Sequence, residues 1–309
     1  MKLYIELLIY GLPIAGVFAL LATGVVMVYR ASKILTLAQG GVAMFVAYVL
    51  YQLANDPKVH GGKGFGLPVA VALPIALIVA ALLGYVIERV LLRPLRDRPP
   101  LVSVIMTVGV LALLTAIAGH VWGYDTQAAP SITPGGSVKF ACDAFHRCIT
   151  VGWGNLFILG MTVLLMLAVV YLFKYTTLGI AMRAVADDRR AALLMGIPAE
   201  RVASLTWILG SVLAGLAGIL LSPIVQLNPL VLTLISIPAY AAALFGGLTN
   251  LARMVVGAIA VGVLYSEVPA LPGIKTSGFP GTRELAIFGV VIIFMFVTGK
   301  SVQLQEEEI

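Results

Sequence analysis

Long apolar runs, separated by short polar connections, recur along this chain from residue 7 to residue 298. A helix needs roughly 20 apolar residues to cross a hydrocarbon core about 30 Å thick, and the runs have that length. They predict membrane segments over about 7–29, 34–54, 67–87, 101–121, 154–173, 202–226, 230–249, 254–269 and 284–298. The two shortest, 254–269 and 284–298, are candidates for tilted, broken or re-entrant segments, so the expectation is eight to ten. The fold class is all-α, a polytopic transmembrane helical bundle. The whole of 1–309 is expected to form one transmembrane domain, with two long connections at 122–153 and 174–201.

The connections orient the chain. Arg89, Arg93, Arg96 and Arg98 cluster in one, and Lys174, Arg183, Arg189, Arg190 and Arg201 in another, two spans later. Both are therefore expected on the cytoplasmic side. Alternation from them adds Arg30, Lys33, Arg253 and Lys300 to that side, so thirteen of the twenty Lys and Arg are cytoplasmic. The N-terminus and the 122–153 loop then lie outside and the acidic tail Glu306, Glu307, Glu308 inside.

Composition agrees: 61% of the residues are hydrophobic and 11% charged, with a mean hydropathy of +1.05. A soluble domain carries about a quarter charged residues, so a soluble globule is excluded. The net charge of +6 does not signal nucleic acid, because the basic residues sit singly or in short clusters between apolar runs. The apolar stretch after Lys2 and Glu6 exceeds a signal-peptide core and lacks a cleavage site, so the first helix is expected to stay in the mature protein.

Cys142 and Cys148 both lie in the outer loop. A small disulfide and two free thiols are both open readings there. His146 between them does not complete a four-ligand metal site, and no metal is expected. His60 and His120 form no ligand set either. Gly299-Lys300-Ser301 lacks the earlier glycine of a phosphate loop, since Phe294 stands in its place. No enzymatic activity or bound cofactor is expected of this chain.

The stretch from Thr176 to Arg201 is too polar to span and too regular for a linker. It reads as two short helices. Asp187 or Asp188 can cap the second, Ala191, Leu194 and Met195 share one face, and Gly196 with Pro198 stops it. Such an amphipathic helix suits a partner's groove or, alternatively, the lipid surface. In the following span Gly210, Ala214 and Gly218 recur at a spacing of four, which lets another backbone approach closely.

Polar positions inside the spans are few. Thr36, Gln39, Gly40 and Gly41 open the second span, where polar side chains and mobile backbone are tolerated only against protein or a water-filled path. They are candidates for the translocation path, although Gln39 could equally bond a neighbouring helix. Ser103, Thr107, Thr115, Ser236 and Tyr240 are isolated, and Glu267 is the deepest acid. A mid-membrane carboxylate relay, usual in ion-coupled carriers, is not evident.

Leu178-Gly179, Met182 to Ala186, Asp187-Asp188, Ala191-Ala192 and Leu194 to Ile197 resemble the cytoplasmic loop of the branched-chain amino-acid (LIV-type) ABC transporter permeases. Gly210 to Leu220 resembles the helix that follows, and Phe245-Gly246-Gly247-Leu248 a glycine-rich segment near the C-terminus. The run Thr36-Leu37-Ala38-Gln39-Gly40 stands where that family shows Asn-Phe-Ala-His-Gly and agrees only at Ala38 and Gly40. The resemblance implies a type II-like importer permease, multi-pass in a bacterial-type inner membrane. Its implied partners are a second related permease or a copy of itself, two cytoplasmic ATPases that bind ATP and Mg, and an external solute-binding protein. It implies coupling through Gly179, Arg183, Ala184, Asp187, Asp188, Arg189, Ala191, Ala192, Met195 and Gly196, and cargo of branched-chain amino acids or similar small solutes. The competing expectation is an ion-coupled secondary transporter of small polar solutes.

Overall fold

The computed structural model describes residues 2–55, 64–95, 98–130, 136–140, 149–234, 236–248, 250–267 and 289. Helix α1 (Lys2–Ser32) is followed by an irregular stretch and α2 (Ala38–Ala54). Then come α3 (Val69–Val86), α4 (Pro100–Trp122), α5 (Trp153–Tyr175), α6 (Thr177–Asp187) and α7 (Arg189–Leu194). The order closes with α8 (Ala199–Val225), α9 (Pro229–Leu234), α10 (Ser236–Phe245) and α11 (Leu251–Glu267). Five helical stretches are long and apolar enough to cross a membrane: Gly11–Ser32, Val69–Leu95, Leu101–Trp122, Trp153–Tyr175 and Ala199–Val225. Three shorter apolar stretches, α2, α9 with α10, and α11, pack among them.

Helices α1 and α8 are buried over most of their apolar length, whereas α3, α4 and α5 expose most of theirs. Ile78, Leu82, Ile105, Leu113, Leu164 and Leu167 form part of that exposed apolar surface, as a lipid-facing wall requires. Small residues let the central helices meet. A Cβ on Gly24 of α1 would lie 2.8 Å from the Gly210 carbonyl oxygen of α8, and one on Gly215 would lie 2.9 Å from Val46 of α2. The small-residue spacing in α8 is thus used on several sides, with Gly218 against the backbone of Ala43 and the fully buried Ala214 in the core.

One end of the bundle gathers the basic residues. A cavity there joins Lys33, Glu88, Arg98, Arg189 and Ala199, and a second groove joins Arg30, Lys174 and Arg183 with the start of α11. At the opposite end Trp122 Nε1 donates to Gln52, and Gln127 pairs with Leu227 by two backbone hydrogen bonds. The basic end is the one that the distribution of Lys and Arg in the connections predicts to be cytoplasmic.

Four expectations change. Helix α2 starts at Ala38 rather than 34, because Lys33 turns into the left-handed region at φ 55° and the chain runs irregularly to Leu37. The stretch after α3 is not a loose connection: it continues as a π turn (Ile87–Leu92) and a 3-10 turn (Arg93–Leu95), with Arg93 paired to Glu200 of α8. The expected segment 230–249 is helical over Pro229–Leu234 and Ser236–Phe245 and leaves the helix by Gly246. The outer connection contains an antiparallel hairpin, β1 (Ser137–Phe140) with β2 (Ile149–Gly152), Ser137 opposite Gly152, beside an otherwise helical body. Cys142, Cys148, the segment 284–298 apart from residue 289, and the side chain of Glu267 lie outside the described residues.

Candidate coupling and translocation sites

The polar stretch between α5 and α8 folds as the expected helix pair. Thr176 Oγ1 donates to the Leu172 carbonyl at 2.5 Å and accepts from the Gly179 N–H at 3.1 Å, so one hydroxyl ends α5 and caps α6. Gly179 is obligatory in this turn, since a Cβ would collide with the carbonyls of Leu172 and Phe173. The inner face of α6, Met182 and Val185, is buried in the core shared by α1 and α8.

Asp188, not Asp187, is the cap of α7. Its Oδ1 accepts from the N–H of Arg190 at 2.7 Å and of Ala191 at 3.1 Å. These bonds from Ala191 and Arg190 hold its carboxyl below the usual carboxylate range. Gly196 ends the turn at φ +81°, with its N–H donating to Leu193 and that of Ile197 to Ala192.

A single buried residue, Ala192, anchors α7 to the core. Its outward side carries Ala191 and the consecutive Leu193, Leu194 and Met195, the last two 89% and 82% exposed. The charged residues of the pair do not converge. Arg189 faces the cavity of Lys33 and Arg98, Arg183 lines the groove between α5 and α11, and Ala184 is half-buried against the core.

The second site is the irregular entry to α2. Leu37 supplies no side-chain cap, so neighbouring helices satisfy its first turn. Thr107 of α4 accepts from the Leu37 N–H at 3.3 Å. Tyr240 of α10 donates to the Leu37 carbonyl at 2.7 Å and accepts from the Gly40 N–H at 3.1 Å. Gly40 is pressed against Ser236, and Gly41 against Leu111 and Leu114. Thr36 and Gln39 are fully buried, yet Thr36 Oγ1 and both ends of the Gln39 amide have no hydrogen-bond partner among the described residues. Among the described residues no neighbouring helix takes up the Gln39 amide. Its Nε2 faces Gly210, while Ser211 Oγ, also without a partner among the described residues, faces Gly84 of α3.

Thr36, Gln39, Gly40 and Gly41 thus come together as one buried polar element within the bundle, distant in sequence from the α6–α7 pair. Tyr240 and Thr107 complete it. In the sequence they are only isolated polar positions, because a hydroxyl 200 residues from the backbone it caps leaves no local pattern.

The family model for the branched-chain amino acid transport system / permease component matches residues 7–297. The high-affinity branched-chain amino acid transport system permease proteins LivH of Escherichia coli (strain K12) and of Salmonella typhimurium are each 30% identical over 261 residues, 84% of either chain. The corresponding BraD protein of Pseudomonas aeruginosa is 29% identical over the same share. No solved structure matches the chain.

Proposed function

The chain belongs to the branched-chain amino acid transport permease family, and on that premise we propose that it moves branched-chain amino acids or similar small solutes as a membrane subunit of an ATP-driven importer. It is a multi-pass inner-membrane permease. Its mate in the membrane is a second related permease or a second copy. Two cytoplasmic ATPases, binding ATP and Mg that this chain does not hold, and an external solute-binding protein complete the assembly.

The observation that carries the coupling role is the tip of α7. Leu193, Leu194 and Met195 stand exposed at the basic end of the bundle, on an element tied to the core through Ala192. Consecutive large apolar side chains there suit a partner's hydrophobic groove. Asp188 and Gly196 set the two ends of that element, and Gly179 fixes its approach to α5. Arg189 carries movement of α7 toward the Lys33 turn that precedes α2.

Thr36, Gln39, Gly40 and Gly41 line the solute path in this reading. They are sealed here by Tyr240, Ser236 and Leu111, and movement of α10 away from α2 would open them. The unpartnered donors and acceptors of Thr36 and Gln39 suit a small polar or zwitterionic solute, which would supply the missing hydrogen bonds.

The test is Leu194→Asp with Met195→Asp in the membrane of origin. The wild type brings down ATPase subunits and supports ATP-dependent uptake of labelled leucine. The variant keeps its place in the membrane and loses both. Uptake driven by an ion gradient without any ATPase would overturn the reading in favour of an ion-coupled carrier.

A further inference from the structure

At the cytoplasmic edge of the lipid-facing surface, α1, α5, α6 and α11 enclose an open groove of about 410 Å³. Its two parts differ in chemistry. Met166, Val170 and Phe173 of α5 and Val255 of α11 make an apolar wall running into the membrane, with Phe173 buried as its floor. Arg30, Lys174 and Arg183, from three different helices, line its cytoplasmic end. The Arg30 guanidinium lies 5.8 Å from the centre of the Phe173 ring, which holds it at the junction of the two parts. Asp187 acts electrostatically on Arg30, and among the described residues no acid lines the groove itself.

We propose that this groove is a binding site for an anionic phospholipid of the cytoplasmic leaflet, its phosphate among Arg30, Lys174 and Arg183 and an acyl chain along Val170, Phe173 and Val255. Charge complementarity selects the occupant. The inner leaflet presents phosphates at the depth where the three cations end, and basic pockets between membrane helices favour anionic over zwitterionic headgroups. The apolar wall continues in the direction an acyl chain takes from such a headgroup, and Lys174 and Arg183 have stems long enough to meet the phosphate from the side. Arg183 belongs to α6, so an occupied groove braces the helix pair that carries α7 against α5 and α11.

The experiment is native mass spectrometry of the transporter purified with its partners in mild detergent, then titrated with phosphatidylglycerol or phosphatidylethanolamine of matched acyl chains. Wild type is expected to retain phosphatidylglycerol in preference, and Lys174→Gln with Arg183→Gln to lower that preference roughly thirtyfold, since each basic residue near the surface contributes about 1 kcal/mol. Val255→Trp, which fills the apolar part and leaves the cations in place, should expel the lipid while the assembly stays intact. Equal retention of the two lipids, or undiminished phosphatidylglycerol retention in both variants, overturns the proposal. Glycerol phosphate competing as well as the whole lipid would reduce the site to a free-anion site and also overturn it. So would a crosslink between two copies through cysteines at Val170, which would make the groove a subunit interface.

Discussion

Tyr240 and Gln39 show how differently two buried polar side chains behave in this bundle. Tyr240 reaches two backbone groups at the start of α2, and Tyr240→Phe would leave the Gly40 N–H buried without its partner. Such groups cost about 1–3 kcal/mol, and the variant should melt lower by a corresponding amount in a detergent thermal assay. Gln39 satisfies nothing and is satisfied by nothing among the described residues. Gln39→Leu should therefore melt no lower than the wild type while solute uptake falls; a clear loss of stability would show that the amide has a structural partner.

Asp188 offers a pH test outside the membrane. Its carboxyl is held low by the N–H groups of Ala191 and Arg190, so its contribution to α7 is present above the ordinary carboxylate pKa of about 3.9. That contribution is lost as pH falls through the lower folded-state value. Amide exchange at 189–194 should speed up in that acid window, and Asp188→Ala should show the faster exchange already at neutral pH.

At the scale of elements, the crossing of α1 and α8 depends on two glycines. A methyl on Gly24 would meet the Gly210 backbone oxygen at 2.8 Å, and backbone on both sides cannot step aside as a side chain end can. Gly24→Ala should destabilise the bundle by about 1–3 kcal/mol through overpacking, read as a lower melting temperature. The spacing of Gly210, Ala214 and Gly218 makes close packing legible in the sequence, whereas its partner on α1 is not, because Gly24 stands alone between Thr23 and Val25. The helix pair α6–α7 was legible for the opposite reason: caps and stops are local, and Thr176, Asp188 and Gly196 act within three residues of themselves.

For the whole molecule, the alternation of basic connections and the geometry of the ends agree. Phe65 and Met195, both well exposed, lie at opposite ends of the bundle. In a background with Cys142 and Cys148 replaced, a membrane-impermeant thiol reagent should label Phe65→Cys in intact cells and Met195→Cys only in inverted vesicles. Labelling of both from one side would refute the orientation.

The helical class, the membrane as solvent and the capped helix pair are all legible in the sequence, which also predicts the sidedness. Each of these follows from local composition or short-range hydrogen bonding: apolar length, Lys and Arg in connections, and cap residues at fixed offsets. Long-range packing, by contrast, leaves the chain irregular before Ala38 and lets Tyr240 close the entry to α2. Only it decided which basic residues meet, sending Arg189 to the cavity of Lys33 and Arg183 to the apolar groove beside α5. Those outcomes depend on contacts between segments far apart in the chain, and in a uniformly apolar sequence nothing local marks which face of a helix will meet which neighbour.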